Sequence, residues 1–252
     1  YTATTNPGRD IITFNLSSTT ISPTGALPSL GDLSQEGTVI DGTTQPGYVD
    51  TPIVRLTGTN AGLGVTGLFM NTSSNVVKGL IVTMFRGSGI SVGVGVDNLV
   101  SGCHVVSNAS DGIYIWGGQR AQIGGTSAAA RNVISSNGSY GVSIQAGAGT
   151  EQNVIEGNYI GVDPSGLTAR GNRLDGVSIS APGNRVGGAA PGARNVISGN
   201  GNNGVYLSGA NAQYNAVDGN YVGLNASGTV ALANGMSGVQ LWGGAASNTI
   251  AR

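Results

Sequence analysis

The chain carries twelve acidic residues among 252, few enough to test each for the paired carboxyl groups that acid–base chemistry on sugars requires. Two pairs stand at matching places in recurring sequence. Asn153-Val-Ile-Glu-Gly is answered by Asn215-Ala-Val-Asp-Gly, which sets Glu156 against Asp218 with Gly187 in the copy between. Asp111 and Asp175 correspond in the same way, with Tyr140 between them. Glycoside hydrolysis usually takes two carboxyl groups about 5 to 9.5 Å apart. Copies stacked as neighbouring strands put each pair about 10 Å apart, at or beyond the wide end of that range. Neither pair has a third acid. These four are the candidate catalytic acids, and the separation favours the competing reading, solvated turn residues.

His104 is the only histidine and Cys103 the only cysteine. One cysteine excludes an intrachain disulfide, and a lone histidine does not make a zinc site. No metal and no cofactor is expected.

A repeat positions these residues. Ile123-Gly-Gly-Thr-Ser-Ala-Ala-Ala-Arg-Asn-Val-Ile-Ser-Ser-Asn returns 63 residues later, from Val186, as Val-Gly-Gly-Ala-Ala-Pro-Gly-Ala-Arg-Asn-Val-Ile-Ser-Gly-Asn. Self-similarity at a fixed period marks a solenoid. Each 63-residue unit divides into two coils of three short strands. The first strand reads Asn-x-Val/Ile-x-Gly, with Val77, Val100, Ile123, Ile155, Val186, Val217 and Ile250 in one column. Alternation of side chains along a strand turns that β-branched column inward. Val82, Val105, Ile134, Ile160, Ile197 and Val222 form the second inward column, and pairs such as Ile113/Ile115 and Val177/Ile179 the third. Three strands per coil, each stacked on its counterpart, describe an all-β, single-stranded parallel β-helix of about seven coils.

Two further columns are asparagine: Asn75, Asn98, Asn153, Asn184, Asn215 and Asn248 open the first strand, and Asn108, Asn137, Asn172, Asn200 and Asn234 precede the third. Asn accepts left-handed bends, and stacked amides bond along an axis. Both columns read as structural ladders at turns. Cys103 takes the place of asparagine in a shorter inward column, Asn132, Asn158, Asn195 and Asn220, and reads as buried filler.

Outward positions carry the aromatic residues. Tyr159 and Tyr221 share the second strand's outward column with Ile81, His104, Val133 and Val196, and Tyr114, Trp116, Tyr206 and Trp242 point outward from the third strand. Such stripes are covered by the insertion loops at 125–131, 162–173, 188–194 and 224–233, or contact a protein partner, or stack on sugar rings. Loop cover is the first of these readings.

Charged residues make up 9% of the chain and the net charge is −1, which leaves no cationic footprint for nucleic acid. No apolar run approaches the length of a membrane span. The chain starts at Tyr1 as though already processed. It reads as one β-helix domain: an N-terminal cap over 1–33, an irregular first coil over 34–74, short coils over 75–120, and long coils with the two-coil repeat over 121–252.

Ile12-Thr-Phe-Asn, Ala26-Leu-Pro-Ser-Leu and Val39-Ile-Asp-Gly-Thr-Thr-Gln-Pro-Gly-Tyr, followed by the Asn-Val-Ile-Ser-Gly-Asn and Asn-Tyr-Ile-Gly-Val repeats, resemble right-handed parallel β-helix repeat proteins of bacteria, in the pectate-lyase-like superfamily. The resemblance implies a right-handed helix in a secreted or cell-surface protein. Arg252 stands where earlier coils have glycine and no cap follows. An open sheet edge templates pairing, so the first functional expectation is a structural surface protein that self-associates head to tail into a filament or matrix. The alternative is a carbohydrate-active protein (lyase, hydrolase or binding module) acting on a long polysaccharide along the flank.

Overall fold

The computed structural model describes residues 8–31 and 37–251; part of the stretch read as a cap lies outside them. The chain visits three parallel sheets in rotation, of nine, eight and seven strands. Each strand pairs with the equivalent strand of the coils before and after. The columns read from sequence are the columns of the structure. Val100 pairs with Val77 and Ile123, Ile160 with Ile134 and Ile197, and Ile144 with Ile115 and Ile179. These Val and Ile side chains fill a continuous buried core along the axis. The alternating pattern is what holds the register, since a one-residue slip would turn the whole apolar set to solvent.

The eight strands of the second sheet mark eight coils among the described residues, against about seven expected. The additional coil lies in the stretch read as a cap. Asp10–Thr13 pairs with Thr38–Asp41, Thr20–Ile21 with Val54–Thr57, and Leu30 bridges to Met70. Ile12 and Ile21 extend the inward columns by pairing with Ile40 and Leu56. Pro23 and Pro28 fall between the paired segments, where their missing N–H costs no ladder bond.

Three hydrogen-bonded asparagine ladders tie the bends. In the first, each Nδ2 donates to the Oδ1 one coil on: Asn75 to Asn98, Asn153 to Asn184, Asn184 to Asn215 and Asn215 to Asn248, at 2.9 to 3.1 Å. Asn108, Asn137, Asn172, Asn200 and Asn234 bond in the same way over 2.9 to 3.1 Å. Asn132, Asn158, Asn195 and Asn220 make the third ladder at 2.9 to 3.0 Å. Cys103 ends it, its backbone N–H donating to Asn132 Oδ1 at 2.9 Å.

The bend differs in one respect from its reading in the sequence. The left-handed residue is not the asparagine but the one before it. Ser74, Asp97, Arg120, Gln152, Tyr214 and Ser247 have φ between 51° and 61°. The asparagine's role is carried by its amide. Glycine is required where coils approach closely: a Cβ on Gly141 would lie 2.5 Å from the Gly176 carbonyl oxygen of the next coil.

Candidate functional site

The insertion loops decide which outward aromatics are free. Val162 and Ala169 bridge across the first long loop, and Leu224 and Ala231 across its equivalent. Asp163 Oδ1 accepts from the Leu167 and Thr168 N–H groups in one, and Asn225 Oδ1 from Thr229 and Val230 in the other. The loops stack, Ala226 N–H donating to Gly166 O at 2.9 Å. They close over the second sheet: a Cβ on Gly166 would stand 2.8 Å from the Tyr159 ring, and one on Gly228 2.6 Å from Tyr221. Arg131 lies 4.3 Å over the Tyr159 ring and Arg194 4.1 Å over that of Tyr221. Tyr159 and Tyr221, carried forward as partner contacts, are thus taken up by packing within the chain. His104 shares their column, between Ile81 and Val133, and burial lowers its pKa.

Three of the four candidate acids are also engaged. Glu156 keeps its expected register with Asp218, through Gly187, but its carboxylate pairs with Arg185 at 2.9 Å and accepts from Gln122 Nε2 at 3.3 Å. Asp175 Oδ1 accepts the Asn203 N–H and Nδ2 at 2.8 Å. Asp111 accepts the Tyr140 N–H at 3.2 Å; burial raises its pKa, against the hydrogen bonds from Ser139 and Tyr140. Asp218 is half-buried on the first sheet. Glu156, Asp175 and Asp111 thus satisfy turns and strand ends.

The third sheet is different. Leu68–Met70 and Ile113–Trp116 turn Leu68, Met70, Ile113 and Ile115 into the core, so Phe69, Tyr114 and Trp116 face out. Phe69 is level with Ser91, and Ser91 with Tyr114. The Phe69 and Trp116 rings stack with centroids 6.3 Å apart and planes inclined by 17°. That contact needs glycine at 93, where a Cβ would stand 2.8 Å from the Phe69 ring. Tyr114 Oη donates to Gln145 Oε1 at 3.0 Å, which fixes its ring. Trp116 remains 40% exposed.

Together these rings line an open groove of about 490 Å³, with Leu27 from the first coil opposite and the hydroxyls of Thr66, Ser88, Ser91 and Ser110 along it. No Asp, Glu, Lys, Arg or His is among its lining residues. Aromatic walls with a few placed hydroxyls bind a ligand that has both apolar faces and hydrogen-bonding edges. Phe69 and Tyr140 were not among the aromatics singled out in the sequence. Phe69 sits in the irregular coil, where no repeat marks the register, although the alternation Leu-Phe-Met shows it. Tyr140 is half-buried at the edge of the same face. Burial raises its pKa first, and the nearby Asp175, Asp111 and Tyr206 add to the shift. Tyr206 lies three coils beyond Tyr114 in the same row and is half-buried, while Trp242 is exposed.

The sequence model of the right handed beta helix region matches residues 54–179, half of the chain, and the chain belongs to that family. Its coils are therefore those of a right-handed parallel β-helix. Among solved structures it is similar to the A-module of the mannuronan C-5 epimerase AlgE6 of Azotobacter vinelandii, at 16% identity and a TM-score of 0.40, over 98% of this chain and 88% of that one. It is also similar to the Dettilon tailspike protein, at 15% identity and a TM-score of 0.25, over 92% of this chain and 61% of that one. Likeness at this level carries nothing about a ligand. No curated protein sequence matches. Among the described residues, no helix is long and apolar enough to cross a membrane.

Proposed function

We propose that the chain is a carbohydrate-binding β-helix module, extracellular or on a cell surface, that holds a polysaccharide against its third sheet. The observation that carries this reading is the stacked pair Phe69–Trp116 beside Tyr114, in a groove whose remaining polar groups are hydroxyls. A pyranose has an apolar face of C–H bonds and a rim of hydroxyls. The indole takes the face and the serine row takes the rim. Binding without turnover is favoured because Glu156, Asp111 and Asp175 are committed to partners within the chain and none of them lines this groove.

Self-association along the axis, the first expectation from the sequence, is carried by none of these contacts and stands as the competing reading. Affinity electrophoresis through gels containing different polysaccharides separates the two. The proposal expects retardation by at least one polymer and its loss in Trp116→Ala. Free migration of the wild type in every gel, with a concentration-dependent increase in mass, would favour assembly instead.

A further inference from the structure

A second groove opens where the third sheet turns back toward the first. It encloses about 490 Å³ beside Ala146, Pro182, Ala210, Asn211, Gln213 and Tyr214. Tyr214 is 69% exposed and has a φ of 57°. Ser74, Asp97, Arg120 and Ser247 make the same left-handed turn in other coils, so the turn itself calls for no aromatic ring.

A row of outward positions runs between the two grooves. Trp116 is level with Gln145, and Ser208 with Trp242. Between them Ser180 accepts the Ala146 N–H on its hydroxyl at 3.1 Å. Trp116, Gln145, Ser180 and Ser208 thus form a row that leads from the first groove to the edge of the second. The row covers three coil steps, about 14 Å along the axis. Neither groove is lined by Asp, Glu, Lys, Arg or His. An anionic ligand would lose hydration here without gaining a cation.

We infer that the two grooves are subsites of one ligand, an uncharged polysaccharide strand lying parallel to the axis from Phe69 and Trp116 to Tyr214. This rests on the first groove being a sugar site. A ligand that spans both must be a chain of several units, because a single sugar reaches only one.

The test is titration calorimetry with xyloglucan, glucomannan and galactomannan, with their oligosaccharides from disaccharide to octasaccharide, and with alginate and polygalacturonate as anionic polymers. Wild type is compared with Trp116→Ala, Tyr214→Phe and Tyr214→Asn. Asparagine accepts the left-handed backbone, so the last variant keeps the turn and loses the ring. Affinity for a neutral glycan is expected to rise with length until both grooves are spanned. Tyr214→Asn should weaken the longest ligand about tenfold and leave the disaccharide unchanged, while Tyr214→Phe binds like wild type. If Trp116→Ala abolishes binding but Tyr214→Asn matches wild type at every length, the two-subsite inference falls and the first groove stands. Preference for alginate or polygalacturonate would overturn the uncharged ligand. No binding by wild type to any of these glycans would remove both readings.

Discussion

Asn98 occupies the one break in the first asparagine ladder. Its Nδ2 is buried without a hydrogen-bond partner, because the next position in the column is Ala121, which has no side-chain acceptor. The ladder resumes immediately afterwards, with Ala121 N–H donating to Asn153 Oδ1 at 2.9 Å. Ala121→Asn should close the gap. The new Oδ1 would accept from Asn98, and the new Nδ2 would donate to Asn153. A buried donor without a partner costs about 1–3 kcal/mol. Crowding an amide into a site where Ala121 is 0% exposed opposes the gain, since overpacking costs about 1–3 kcal/mol where the surroundings do not yield. The strand register across this coil is regular, Leu99 pairing with Gln122 and Gln122 with Val154, so the amide slot has the same spacing as its neighbours. The expected net is a stabilisation of about 1–2 kcal/mol, read as a rise in the urea midpoint at constant slope. A midpoint that stays put or falls would mean that the slot has closed around alanine, and that the free Nδ2 is not the cost assigned to it.

Other outcomes follow from the same contacts. Asn158 Nδ2 donates to Ile123 O, Glu156 O and Asn195 Oδ1, so Asn158→Ala should cost about 2–3 kcal/mol by leaving buried partners unmade, measured by urea unfolding. Asp111 has its pKa raised above 3.8 by burial; its folded form holds the proton longer, so stability is lost as pH rises through that raised value and the penalty vanishes below 3.8. Asp111→Asn should therefore be more stable than wild type at neutral pH, with the difference shrinking in acid unfolding titrations. The Cys103 thiol is pushed up to about 12 by burial, and Ellman's reagent at pH 8 should find no reactive thiol until denaturant is added; rapid labelling of the folded chain would contradict the packing of this coil.

The fold was legible because its signal repeats. A column such as Val100, Ile123 and Ile155 tests its own register several times, and asparagine recurs where amides bridge neighbouring coils, Ala121 being the exception in its column. The first coil was harder to read, because Asp10–Thr13 and Thr20–Ile21 carry the inward pattern without the asparagines, and Pro23 and Pro28 interrupt it. The free aromatics were less legible for a different reason. Tyr159 and Trp116 both alternate outward, and strand periodicity cannot separate them. The path of the loops does, through Arg131 and Gly166 on Tyr159. A sign of this was present: Arg131 and Arg194 end equivalent loops just before Asn132 and Asn195, and Gly166 and Gly228 recur in the long loops. The acids were legible as positions but not as partners, since the pairing of Glu156 with Arg185 depends on adjacent coils placing their side chains in reach.

The chain has two tryptophans, which permits a direct test of the groove. In a Trp242→Phe variant, Trp116 is the single indole, and its emission reports contact at the stacked pair. Titration with a neutral polysaccharide that retards the protein should shift that emission and saturate at the concentration where calorimetry saturates. Saturable binding that leaves Trp116 emission unchanged would place the ligand elsewhere on the coil and contradict the proposed site.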